Sequence, residues 1–250
     1  MDGGDRFAGR NAIVTGAGSG IGRATAVRLA VEGARVVCVE LLRERLDDLT
    51  AAHPDLDLVP IVADITGAQA PEQALAAADG RVDLLANVAG IMDGFLPTAE
   101  VDDATWDRVF AVNVTATLRF SRAVLPLMIE AGRGAIVNVV SEAALRGSSA
   151  GVAYTASKHA VVGITRSTAF FYAGNGIRTN AVAPGPVATN IEAPMKSEHA
   201  ARLVGPLMQL VLPPLATPEQ VAAVICWLLS DEASNVNGAV LASDGGWSVI

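Results

Sequence analysis

The chain has 250 residues, of which 51% are hydrophobic and 18% charged. That apolar share excludes a disordered chain, and the length suits one large domain with an ample core. With 18 Lys and Arg against 26 Asp and Glu the net charge is −8, which argues against a nucleic-acid surface and against docking on anionic lipid.

The start, Met1-Asp2-Gly3-Gly4-Asp5, is acidic and polar, unlike a signal peptide. Short β-branched runs follow at 11–15, 35–40, 57–62, 82–87, 135–140, 177–183 and 239–241. They are nearly continuous in apolar character, as expected of strands buried on both faces of a parallel sheet. Helical periodicity fills 20–32, 41–53, 105–131, 152–174 and 218–230. This alternation predicts βαβ units and a single-domain α/β fold, a doubly wound, mostly parallel sheet spanning 1–250. The one Pro-rich stretch runs from Pro184 to Pro218 and leaves too little chain after it for a second core. An inserted loop is expected there, with 190–216 as a substrate-binding lid.

No apolar run reaches the roughly 18 residues of a membrane span. The two cysteines, Cys38 and Cys226, lie in apolar stretches and form no disulfide framework. Buried thiols in a reducing cytoplasm are the expectation. His53, His159 and His199 have no metal-ligand spacing with each other or with the cysteines, so no metal is expected.

The first strand runs into Thr15-Gly16-Ala17-Gly18-Ser19-Gly20-Ile21-Gly22 and then a helix. Glycines there let the backbone approach a pyrophosphate, and the helix start offers free N–H groups. G-x-G-x-x-G fails from Gly16, because its third glycine would fall on Ile21, and the nucleotide-triphosphate loop fails from every glycine. T-G-x-x-x-G-x-G fits, with glycines at 16, 20 and 22, and at a first strand–helix junction it points to a dinucleotide. Glu40 ends the second strand, where a carboxylate accepts from ribose hydroxyls and repels a 2′-phosphate. Arg43 and Arg45 are expected to face solvent, and Ser19 is neutral. NAD(H) is therefore preferred over NADP(H).

Tyr154 and Lys158, at i and i+4, share one face of the 152–174 helix. A tyrosine is a poor base at neutral pH, but a neighbouring ammonium favours the phenolate, which makes the pair a plausible general acid/base. Ser141 follows the fifth strand, where doubly wound sheets bind ligands, and its hydroxyl can hold a substrate oxygen.

With these residues the chain closely resembles the short-chain dehydrogenase/reductase family, in its compact branch, from Gly9 to about Trp247. The motifs stand in the family's order: Thr15–Gly22, Asp64, Asn87-Val88-Ala89-Gly90, Asn113, Ser141, Tyr154-x-x-x-Lys158 and Pro184-Gly185-Pro186-Val187-Ala188-Thr189. The resemblance implies a Rossmann-type fold with Tyr154 as acid/base and Lys158 lowering its pKa and bonding the nicotinamide ribose. It implies further that Ser141 orients the carbonyl or alcohol and that Asn113 holds a water. On the cofactor side it implies Gly16, Ser19, Gly20, Ile21 and Gly22 at the pyrophosphate, and Asp64 with Ile65 at the adenine. Asn87, Ala89 and Gly90 would flank the adenosine, and Pro184, Gly185, Val187 and Thr189 the carboxamide. Relatives assemble through helices corresponding to 105–131 and 152–174, which implies a homotetramer or homodimer.

Two positions depart from the family's pattern. Val88 replaces a common asparagine and is expected to pack inward. Glu142 follows Ser141 where a small or apolar residue is usual; a solvated loop carboxylate and a substrate-recognition group are the two readings. His159 is expected at the surface, and Asp244-Gly245-Gly246 in a structural turn. Met195, Leu203, Leu207, Met208, Leu210 and Leu212 are expected to form an apolar lid, with Phe95 and Leu145 as weaker pocket candidates.

The expected activity is interconversion of a secondary alcohol and a ketone on a small molecule with apolar bulk, using NAD(H). One rival is a 3-oxoacyl-acyl-carrier-protein reductase using NADPH. The net charge of −8, Glu40 and the lack of basic residues at Glu130-Ala131-Gly132 and Ala173-Gly174-Asn175 weigh against it. The other rival is an idle NAD-binding sensor or scaffold, against which the intact set Asn113, Ser141, Tyr154 and Lys158 argues.

Overall fold

The computed structural model describes residues 5–147, 149–191 and 193–249; the polar start Met1–Gly4 lies outside the described residues. Seven parallel strands form one sheet in the order β3-β2-β1-β4-β5-β6-β7. They are β1 (Asn11–Thr15), β2 (Arg35–Glu40), β3 (Leu58–Val62), β4 (Leu84–Asn87), β5 (Gly134–Val139), β6 (Ile177–Pro184) and β7 (Val240–Ser243). Strand order reverses between β1 and β4, and the crevice at their C-terminal ends is where such sheets bind ligands.

Helices cover both faces. On one, α1 (Gly20–Val31), α2 (Arg43–Ala52) and α8 (Pro218–Leu229) bury Leu29, Leu46 and Ile225 against Val14, Val36 and Val137. On the other, α3 (Ala70–Ala77) and α5 (Ala116–Ala131) bury Ala74, Phe120 and Met128 against Ile13, Val37 and Ile136. The inner strands read as apolar runs because both their faces are covered. Burial on both faces fails at the two edges, where β3 and β7 are largely half-exposed. Pro60 within β3 suits an edge, since proline cannot donate to a ladder.

Two further differences concern helices. The segment 105–131 is not one helix but α4 (Asp103–Phe110), a π-helical turn at Ala111–Thr115, and α5. The Pro-rich stretch is not irregular throughout: Ser197 caps α7 (Glu198–Val211), accepting from the Ala200 amide at 3.0 Å, and the helix tolerates Pro206 within it. The remaining long helix, α6 (Val152–Tyr172), packs Val161 against Ala181 and Ala183 of β6. No helix among the described residues is long and apolar enough to cross a membrane.

Candidate active site

The glycine turn sits at the C-terminal end of β1 and is shaped by contacts no other residue permits. Gly16 and Gly20 have φ of +68° and +49°, the left-handed region, and a Cβ on Gly22 would collide with the Gly16 carbonyl oxygen. The Thr15 hydroxyl accepts from the amides of Val88 and Ala89 at 3.0 and 3.3 Å, docking the turn on the loop after β4. Ser19 caps α1 without a side-chain hydrogen bond to the first turn, which leaves the helix's positive end able to receive an anion. The Ile21 side chain packs on the core, so its share in a cofactor site falls to its backbone.

Glu40 is buried at the end of β2, and its carboxylate accepts from the amides of Gly18 and Leu42, each at 3.2 Å. A carboxylate has about four acceptor sites, so capacity for ribose hydroxyls remains. Arg43 is exposed as expected, but Arg45 folds back to 3.7 Å from Glu40. The attraction of a buried carboxylate draws its guanidinium in, which corrects the solvent-facing expectation. Asp64 is exposed after β3 and accepts from the Thr66 amide and hydroxyl, each at 2.8 Å, while Ile65 packs on the core. The Asn87 side chain is taken up inside the sheet, donating to Asn138 Oδ1 at 2.9 Å and Ser121 at 3.3 Å. Val88 packs partly buried on the core, as its apolar character predicts.

Asn113 lies in the π turn, where the widened helix frees its neighbourhood for other contacts. Its amide donates to the Ile91 carbonyl and to Ser157 Oγ, each at 3.0 Å, and its Oδ1 accepts from the Ile91 amide at 2.9 Å. A Cβ on Gly90 would stand 3.3 Å from both Asn113 Oδ1 and Lys158 Nζ, so these three positions converge. Lys158 donates to the Val139 carbonyl at 3.0 Å and stands 5.4 Å from the centre of the Tyr154 ring. The Ser141 hydroxyl accepts from the Ala143 amide at 3.1 Å and acts on the Tyr154 phenol. Asn113, Ser141, Tyr154 and Lys158 thus share one site.

Burial dominates its electrostatics. Tyr154 is pushed up to about 12 by burial, against the pull of the Ser141 hydroxyl and with a further push from Asp93. Lys158 is pushed down to about 8 by burial alone. The lowering expected of Tyr154 is therefore not what the protein's own groups produce.

Pro184–Thr189 turns back over the glycine loop. A Cβ on Gly20 would meet the Thr189 Cγ2 at 3.0 Å, and a Cβ on Gly185 would lie 2.8 Å from the Asp244 Cα, so Gly185 admits the C-terminal turn. That turn is structural, with the Asp244 carboxylate accepting from Gly246 and Ser248 at 3.0 and 2.8 Å. Val187 and Ala216 form a parallel bridge that ties together the two ends of the 190–216 segment.

A cavity of about 340 Å³ lies beside Asn113, Ser141, Tyr154 and Lys158 rather than around them, between α7, the start of α6 and the 95–98 loop. Phe95, Leu203 and Val204 line it together with Thr98, Thr155 and His199. Of the apolar candidates only Phe95 and Leu203 line it, and Leu203 is itself exposed, as are Leu207, Leu210, Leu212 and Leu145 away from it. The solvated reading of Glu142 is overturned: it is 1% exposed and ion-paired with Arg146, whose guanidinium covers the Trp247 ring at 5.1 Å. His159 is at the surface as expected, bonded to the Thr155 carbonyl at 2.9 Å. One residue escaped the sequence reading, Asp93, whose carboxylate binds the start of α6. The Asp93-Gly94 turn signal, together with a helix start at Gly151 that brings no side-chain cap of its own, could have found it.

The model of the short chain dehydrogenase family matches residues 10–200. The chain belongs to the short-chain dehydrogenase/reductase family. It is 41% identical over 256 residues to cis-4-hydroxycyclohexanecarboxylate dehydrogenase of Sinomonas cyclohexanicum, covering 99% of this chain and 100% of that one. It is 38% identical over 260 residues to levodione reductase of Leifsonia aquatica, covering 97% and 96%. The crystal structure of a levodione reductase superposes with a TM-score of 0.87 at 36% identity, over 98% of each chain. This short-chain dehydrogenase/reductase is an oxidoreductase, and its family works with nicotinamide cofactors.

Proposed function

We propose that this short-chain dehydrogenase/reductase interconverts a secondary alcohol and a ketone with NAD(H), using Tyr154 as the acid/base. The observation that carries this is the buried Lys158 ammonium 5.4 Å from the Tyr154 ring centre, with Ser141 acting on the same phenol. The bound cofactor supplies the hydride acceptor or donor. Ser141 holds the substrate oxygen, and Tyr154 takes the alcohol proton in oxidation or returns it to the ketone oxygen in reduction. Lys158 places a positive charge against the developing phenolate and bonds the ribose. Asn113 keeps the Lys158 end of the site in register and holds a water there.

The glycine turn and the uncapped start of α1 fit a pyrophosphate, with Gly16, Ser19, Gly20, Ile21 and Gly22 around it. Asp64, Ile65, Asn87, Ala89 and Gly90 form the adenosine side; Pro184, Gly185, Val187 and Thr189 form the carboxamide side. Glu40 favours NAD(H), because it would repel a 2′-phosphate and Arg45 is already engaged with it. Fluorescence titration checks this, with NADH expected to bind more tightly than NADPH.

The substrate is a small alcohol or ketone with apolar bulk, received by the cavity at Phe95 and Leu203, with 190–216 as the lid hinged at Val187 and Ala216. Phe170 and Phe171 on α6 are 79% and 70% exposed, which supports a homodimer or homotetramer. Gel filtration at the monomer volume would remove that part. Free buried Cys38 and Cys226 suit the reducing cytoplasm. The deciding experiment screens secondary alcohols and ketones with both cofactors in the wild type and in Tyr154→Phe. The variant is expected to lose about 100-fold or more in kcat while still binding NADH; retained turnover would remove Tyr154 from the chemistry.

A further inference from the structure

Asp93, in the loop after β4, is 3% exposed and carries a carboxylate that the reaction above does not use. Its oxygens accept three backbone N–H groups from two separate parts of the chain: Phe95 at 3.1 Å, Gly151 at 3.2 Å and Tyr154 at 2.9 Å. Gly151 caps α6 without a side chain, and Tyr154 stands in the helix's first turn. The carboxylate therefore supplies the acceptor, and the negative charge, that this helix start lacks. The approach is close, since a Cβ on Gly151 would collide with the Leu96 amide nitrogen and lie 2.5 and 2.6 Å from the two Asp93 oxygens.

On its own side the Asp93 loop bends through Gly94 and Phe95, with φ of +73° and +58°. A phenylalanine holds that left-handed conformation only where its surroundings impose it. Phe95 is a wall of the cavity, and the next carbonyl, that of Leu96, accepts from the Val152 amide at 3.0 Å. One carboxylate thus joins the pocket wall to the helix that carries Tyr154.

We propose that Asp93 is the positioning residue of this reaction, setting where the Tyr154 hydroxyl stands relative to substrate held against Phe95. The proposal rests on the acid/base reading of Tyr154. Asp93 also acts on Tyr154 by charge, adding to the rise that burial causes. The other charged groups around the ring are Lys158, in contact with it, and Glu142, neutralised by Arg146, beside Ser141. Asp103, Asp107 and Arg108 on α4, and Lys196, Glu198 and His199 around the start of α7, are exposed to solvent.

The test compares Asp93→Asn, Gly151→Ala and Tyr154→Phe on the fastest alcohol of the screen with saturating NAD. Asp93→Asn keeps the size but turns an amide toward N–H groups and removes the charge. Its kcat is expected to fall at least tenfold and its KM to rise, with NADH affinity unchanged. The acid limb of its kcat/KM profile should move to lower pH, because no carboxylate opposes loss of the phenolic proton. Gly151→Ala pushes the Leu96 backbone and the carboxylate away from the start of α6 together but keeps the charge, so kcat should fall with the acid limb closer to that of the wild type. That second variant also reads the contact if Asp93→Asn is recovered unfolded. Wild-type kcat, KM and pH profile in the folded variants, or a loss of Tm alone, overturns the proposal, while an inactive Tyr154→Phe leaves the acid/base reading standing. An active Tyr154→Phe overturns that reading and this proposal with it.

Discussion

Lys158 Nζ donates to the Val139 carbonyl at 3.0 Å and lies 5.4 Å from the centre of the Tyr154 ring. Both side chains are buried, so each is held in a site that favours its uncharged form: Lys158 is pushed down to about 8 and Tyr154 up to about 12. The proposed reaction needs charge where the fold resists it.

That opposition makes stability depend on pH in two windows of opposite sign. Between about pH 8 and 10.5 the unfolded chain holds a proton on Lys158 that the folded protein has lost, so stability rises with pH. Between pH 10 and about 12 the folded protein keeps the Tyr154 proton that the unfolded chain has lost, so stability falls. Urea midpoints against pH check both. Lys158→Met should abolish the first window and stabilise the protein at pH 7 by roughly 1–3 kcal/mol while removing activity.

Gly22→Ala sets a side chain against the Gly16 carbonyl and must open the glycine turn. NADH affinity is expected to fall by at least 100-fold. Gly163→Ala on α6 is the control, since its Cβ would meet nothing within 4 Å. It should leave NADH affinity alone and raise stability by up to about 1 kcal/mol. Fluorescence titration and thermal melts separate the two.

The Glu142–Arg146 pair is buried at the carboxylate end, so its halves are not equivalent. Arg146→Met leaves a carboxylate in the interior without its counter-charge and should cost about 3 kcal/mol or more. Glu142→Gln leaves a guanidinium still partly open to water and should cost less. In the double variant the losses should fall short of their sum, as chemical denaturation of all four proteins would measure.

Asn138 accepts from Asn87 and donates to Thr165 Oγ1, each at 2.9 Å, in a fully buried chain between β4, β5 and α6. Asn138→Ala strands a donor and an acceptor and is expected to cost about 2–5 kcal/mol. A change under 1 kcal/mol in urea unfolding would show the network to be dispensable.

Much of this was legible in the residues. The apolar runs located all seven strands, β1 and β2 with their observed bounds and the others with edges shifted by at most two positions. Tyr154 and Lys158 were readable as a pair because helical spacing alone puts them on one face. The π turn at Asn113 was not, since one widened turn barely disturbs the apolar period. Nor was α7, because prolines at both flanks and at Pro206 carry the signature of a loop. Glu142 looked solvated because a carboxylate in a loop usually is, and its partner Arg146 becomes decisive only once its guanidinium is packed on the Trp247 ring.

The amino-acid order alone thus settled the alternating architecture, the glycine turn and the pairing of Tyr154 with Lys158 on one helix face, because periodicity and close spacing are local properties of a chain. The fold decided what depends on distant segments meeting. It brought Asp93 to the start of α6, drew Arg45 back to Glu40, and set Phe95 and Leu203 at the cavity while Leu207, Leu210 and Leu212 lie outside it. Burial, which no local pattern encodes, then moved Tyr154 and Lys158 in opposite directions.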